Sequence, residues 1–274
     1  MFKPAEIVID EFMQRLGDEF AQAHPGAAFE ERQTLGRAGR LALIHVSRSN
    51  VLYTNLESCL LITEVALRIL EGRQIERYDV TSRDWLDFVI ASLSMFTGFA
   101  RGVVPGDDGR LLVISEDGER LELDRSHTDS YLMRWYVPRS RLFVRRFFAT
   151  EPMLDAERIA EMISFTRLPT PRTEPDDLDS WGALLRAAQT IALGADPRFV
   201  QRSKRLFRQL EEAGFTESMG YRSAADVVDT YPQRFWEHLV PQIPSALSYL
   251  KYTGGGQLWL ARLNAHMLEE EHRH

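Results

Sequence analysis

The sequence predicts an all-α protein, one helical domain carrying a single small β-hairpin. Three observations predict it. Apolar residues recur at helical spacing through most of the 274 residues. One segment departs from that spacing, and it centres on an Asp-Gly pair between short apolar runs. No low-complexity tract or internal repeat divides the chain, and its length suffices for a sizeable core.

The elements follow in order. Ile9, Phe12, Met13, Leu16 and Phe20 share one face of a first helix. A second is expected over about Thr34 to Val46. A third begins near Asn55 and is expected to stop at Gly72. In it Leu61, Val65 and Ile69 form one stripe, and Ile62, Ala66 and Leu70 form the next. Two adjacent stripes mean burial around much of the circumference. Thr81 and Asp84 have capping-box spacing and open a helix containing Trp85, Phe88, Val89 and Leu93. The hairpin pairs Leu111 to Ile114 with Leu121 to Leu123 across Glu116-Asp117-Gly118-Glu119, within an insertion of about 110–124. Pro169 to Asp179, rich in proline and acid, reads as an exposed loop. Phe199 to Ala213 is helical, with Gly214 suited to the left-handed position beyond its end. Ser223 and Asp226 repeat the capping-box signal. Gly254-Gly255-Gly256 reads as a flexible loop before a last helix over Leu258 to Glu271.

Composition excludes several classes. Hydrophobic residues make up 44% and charged residues 27%, a globular balance. The net charge of −7 argues against a nucleic-acid partner, because phosphate binding draws on Lys and Arg. Cys59 is the only cysteine, so an internal disulfide is excluded, which fits a reducing compartment. Met1 to Asp10 lacks the pattern of a signal peptide. The most apolar stretch, Trp85 to Ala100, contains Asp87 and is too short for a membrane span. A cytoplasmic protein is expected.

Four stretches carry a family resemblance. Ser49-Asn50-Val51-Leu52-Tyr53-Thr54-Asn55-Leu56-Glu57-Ser58 is similar to S-x-x-L-Y-H-N-x-E/D-H. Asp84-Trp85-Leu86, then Ser94-Met95-Phe96-Thr97-Gly98-Phe99 and Arg101-Gly102-Val103, resemble D-W-L followed by C-H-D-I-G-Y-x-R-G-V. Thr128-Asp129 through Leu142-Phe143-Val144-Arg145 resembles T-D-x-x-L-T-P-Y-H-V-D-R-x-K-L-F-V-R. Thr166-Arg167-Leu168-Pro169, Arg186-Ala187-Ala188-Gln189 and Ala195-Asp196-Pro197 resemble T-R-F-P, R-A-A-D and A-D-P. Further short matches, from Gly220-Tyr221 to Ala246-Leu247-Ser248-Tyr249-Leu250, extend the likeness from about residue 35 to the end. Together these resemble the HD-domain metal-dependent phosphohydrolases. The resemblance implies an HD-like helical bundle.

Such hydrolases hold one or two divalent metals with His and Asp, lowering the pKa of a bound water and polarising a phosphoryl oxygen. By the resemblance, Thr54 and Ser58 stand where the first motif has its two His. Met95 and Phe96 replace the His-Asp pair, Tyr136 a later His, and Gln189 an Asp. Phe96 offers no donor, and a Met95 thioether suits soft metals rather than Mg, Mn or Fe. The expectation is a vestigial, partly packed metal cavity with no bound metal or other cofactor and no catalytic residue. None of the seven histidines forms H-x-x-x-H with a suitable acid, and His272 and His274 lie in the tail. G-x-S-x-G, phosphate-binding and dinucleotide glycine motifs are absent.

Arg134, Arg139, Arg141, Arg145 and Arg146 form a basic cluster with interleaved aromatics. As an anion site it would draw on Arg101, Arg139, Arg141 and Arg145, since arginine grips phosphate bidentately. As structure it would be a solvated helix edge paired with the many acids, the commoner case. Arg101 and Arg139 are the two that match arginine positions of the resembling family. Three functions stay open. The first is an inactive HD-like protein that binds a protein partner or a small phosphorylated ligand and acts in regulation. The second is a metal-dependent phosphohydrolase with a non-standard site, drawing on Glu57, Asp129 or Tyr136. The third is a structural subunit, such as a homo-oligomer.

Overall fold

A computed structural model describes residues 3–124, 126–171 and 176–271. The fold is all-α with one small antiparallel hairpin. Helices α1 (Pro4–Ala23), α2 (Phe29–Val46), α3 (Leu56–Arg77) and α4 (Ser82–Ser94) come first. The hairpin β1 (Leu111–Val113) and β2 (Arg120–Glu122) precedes α5 (Tyr136–Phe148) and α6 (Ala156–Ser164). Then follow α7 (Trp181–Gly194), α8 (Phe199–Glu212), α9 (Ala224–Arg234), α10 (Pro244–Leu250) and α11 (Gly254–Glu271). Buried apolar side chains from Ile9 to Met267 form one contiguous cluster.

Local chemistry explains the element ends. Helix α1 buries Ile9, Phe12, Met13, Leu16 and Phe20, the face that its spacing predicts. Thr81 Oγ1 accepts from the Asp84 amide at 3.1 Å and the Asp84 carboxylate accepts from the Thr81 amide at 3.0 Å, so the expected box caps α4. Ser223 and Asp226 cap α9 in the same way. In the hairpin Leu112 faces Leu121, and Gly118 takes the positive φ of +82° that its turn needs. Gly214 closes α8 at φ +73°.

The structure corrects three boundaries. Helix α2 starts at Phe29, one turn before Thr34. Helix α3 runs through Gly72 to Arg77, because Gly72 serves contact rather than termination. A Cβ there would lie 2.0 Å from the Tyr249 carbonyl oxygen, so its absence lets α10 approach α3. The three glycines at 254–256 form the first turn of α11 rather than a loop. A Cβ on Gly256 would meet the Leu250 carbonyl oxygen at 2.2 Å, so here too a missing side chain admits neighbouring backbone.

Among the described residues, no helix is long and apolar enough to cross a membrane. Trp85 and its neighbours belong to the core.

Candidate functional site

The turn after α4 meets the start of α5. Met95 and Phe96 follow α4, and lead into a 3-10 turn, Thr97–Phe99. Helix α5 clamps this turn. The Gly98 amide donates to Ser140 Oγ at 2.9 Å, and Ser140 Oγ donates to the Met95 carbonyl at 2.9 Å. Gly98 has to be glycine here, since a Cβ would lie 2.0 Å from the Tyr136 carbonyl oxygen.

Five of the six positions of the resembling motif fall into two groups. Phe96, Tyr136 and Gln189 form the first. The Phe96 and Tyr136 ring centroids are 6.0 Å apart, and Tyr136 stacks on Phe99 at 4.5 Å. The Tyr136 hydroxyl donates to the Thr166 carbonyl, and the Gln189 side chain stands beside the same hydroxyl. Burial pushes the Tyr136 phenol well above its ordinary range, so it stays protonated. Thr54 and Ser58 form the second group. Thr54 Oγ1 accepts from Gln209 Nε2 at 2.8 Å. Ser58 Oγ donates to the Tyr53 carbonyl and accepts from Arg202. Met95 and Phe96 are fully buried, and full burial stabilises by about 1.5–3 kcal/mol each.

These residues do not fit a divalent metal. Phe96 has no donor atom, and the Thr54, Ser58 and Tyr136 hydroxyls already bond to the protein. Among the described residues, no group of three or more His, Cys, Asp or Glu is placed to share an ion. His272 and His274 lie outside the described residues. Glu57 and Asp129 are engaged separately. Arg202 and Arg205 reach Glu57 at 2.9 and 3.1 Å, and Arg198 pairs with it as well. Burial raises the Glu57 pKa, but the three arginines outweigh it and hold the carboxyl below its usual range. Asp129 accepts from Arg101 at 2.7 Å and from the Asn50 amide at 3.0 Å.

The four candidate arginines do not converge. Arg139 is fully buried inside the protein. Its guanidinium meets both Asp107 carboxylate oxygens at 3.1 and 3.0 Å. It also donates to the carbonyls of Gly98 at 2.7 Å, Ala100 at 2.9 Å and Val113 at 2.5 Å. An anion would have to displace Asp107. Arg101 is held by Asp129 and by the His127 carbonyl at 2.7 Å. Arg141 and Arg145 lie on the outer side of α5. Glu116 of the hairpin turn pairs with Arg141 at 3.1 Å and Arg145 at 2.5 Å, and Glu157 with Arg145 at 2.8 Å. Hairpin and α5 are thus tied by the charges that first suggest an anion site.

One recess adjoins both groups of motif positions. A cavity of about 50 Å³ touches Gln189 on α7 and Tyr53 in the loop before α3. Its walls include Leu193, Leu206, Leu210, Val227 and Leu239, and Tyr221, Tyr231 and Arg234 supply polar groups. Tyr221 lies in a short match to the resembling family, whereas no pattern in the sequence marks Tyr231 or Arg234 as cavity residues. Gln209 and Asp107, which hold Thr54 and Arg139, carry no signal at sequence level because their partners lie 155 and 32 residues away.

No curated protein and no solved structure matches this chain. A family model does match, over residues 2–273, and the chain therefore belongs to the Npun_R2479-like family.

Proposed function

We propose that this protein is a catalytically inactive HD-like protein that works by binding, as a regulatory or ligand-carrying component. One observation carries the reading: of the six positions that the resembling hydrolases fill with metal ligands, Thr54, Ser58 and Tyr136 hold buried hydroxyls bonded to their own protein, and Met95 and Phe96 hold fully buried apolar side chains. An unligated His-Asp pair in that core would suffer desolvation. Phe96 and Met95 instead contribute apolar burial. The alternative, a hydrolase with a rebuilt site at Glu57 or Asp129, would need both carboxylates released from arginine.

The test is a hydrolysis panel of phosphomonoesters and nucleotides with Mn, Fe or Mg added. The expected result is no metal-dependent turnover above background. Turnover that Glu57→Gln or Tyr136→Phe abolishes would overturn the proposal.

A further inference from the structure

The cavity beside Gln189 contains polar groups that the protein itself leaves without partners. Tyr231 is 5% exposed, yet its hydroxyl has no hydrogen-bond partner. The Tyr53 and Tyr221 hydroxyls and the Arg234 guanidinium lie within electrostatic reach of it. Arg234 Nη1 donates to the Tyr221 hydroxyl at 3.2 Å, which leaves that hydroxyl's own proton available. Among the described residues no carboxylate pairs with Arg234. Gln189, also on the cavity wall, is 4% exposed, and its amide faces the Tyr136 hydroxyl without a well-aligned hydrogen bond. A guanidinium and two phenolic protons therefore line one cavity whose walls carry no carboxylate. Buried donors of this kind are costly unless something accepts from them.

We propose that this cavity binds a short-chain monocarboxylate, its carboxylate on Arg234, Tyr221 and Tyr231 and its alkyl body against Leu193, Leu206 and Leu210. One guanidinium supported by neutral donors matches a single negative charge better than a phosphate dianion. The apolar wall excludes a small hydrophilic anion as the preferred ligand. The volume of about 50 Å³ has room for roughly four waters, the bulk of a chain of about four to six carbons. The inference rests on the binding role proposed above and specifies its ligand.

The test is calorimetric titration of the full chain with hexanoate, hexanol, decanoate and inorganic phosphate. Hexanoate is expected to bind saturably, hexanol about tenfold or more weaker, and decanoate no tighter than hexanoate. Arg234→Met should weaken hexanoate about tenfold or more. Tyr231→Phe should weaken it several-fold while leaving the free protein at least as stable, since no hydrogen bond is lost. Equal binding of hexanol, saturable phosphate binding as tight as hexanoate, or no saturable hexanoate binding would each overturn the proposal. So would hexanoate binding that both variants leave unchanged. A metal-dependent hydrolase activity would remove the inactive reading and leave this titration standing. A metal-free protein that ignores hexanoate would remove the carboxylate site alone.

Discussion

Replacing Asp107 with Ala tests whether Arg139 is a structural residue or an anion receptor. Both side chains are withdrawn from solvent, at 1% and 0% exposure. The substitution leaves a buried guanidinium facing only the carbonyls of Gly98, Ala100 and Val113. It also removes the acceptor for the amides of Gly102 at 3.0 Å, Val104 at 3.3 Å and Val113 at 2.9 Å. Removing one partner of a buried pair costs about 3–5 kcal/mol. Unfolding entropy near the midpoint is about 2.1 cal/mol/K per residue, or about 0.6 kcal/mol/K for 274 residues. The expected drop in Tm is therefore about 5–9 °C, read by differential scanning calorimetry. Asp117→Ala, in the exposed hairpin turn, serves as the control and should shift Tm little. A drop of less than about 2 °C for Asp107→Ala would mean that Arg139 tolerates losing its carboxylate and is not held by a buried ion pair.

Other consequences follow from the same packing. Gly98→Ala would drive a Cβ into the Tyr136 carbonyl oxygen and should cost about 3 kcal/mol, with a denaturation midpoint shift to match; an unchanged midpoint would contradict the close approach. Asp87 is buried, and burial raises its carboxyl pKa to about 6 against the Asp155 amide and Arg158, which lower it. A raised carboxyl contributes stability that is complete below about pH 4 and lost as pH rises through about 6, a swing of ~3 kcal/mol. Asp87→Asn should therefore gain on the parent protein across that window, and parallel stability–pH curves would count against it. Thr81→Ala removes the acceptor for the Asp84 amide and should cost about 1 kcal/mol in chemical denaturation.

Much of the fold is legible where its cause is local. The apolar face of α1, the Thr81 and Ser223 boxes, the Asp-Gly turn and Gly214 all depend on residues within a few positions of each other, and all appear where the sequence places them. Errors arise where a distant element decides. Gly72 looks like a helix stop, but its role is set by Tyr249. The glycines at 254–256 look like a loop, but their bare backbone admits α10 and Arg68. The candidate site divides the same way. Which motif positions lack metal-binding side chains is plain in the sequence. That Thr54 is held by Gln209, Arg139 by Asp107, and that Tyr231 and Arg234 face one cavity depends on contacts that periodicity does not encode.

The proposed function requires that the positions which the resembling hydrolases fill with metal ligands hold no metal here. Elemental analysis by inductively coupled plasma mass spectrometry tests it most directly, on the full chain incubated with Fe, Mn and Zn and then freed of loosely bound ions. The expected result is no near-stoichiometric metal once binding lost on His272→Ala and His274→Ala substitution is set aside. About one ion per chain, retained in that double variant and lost on changing Glu57 or Asp129, would contradict it.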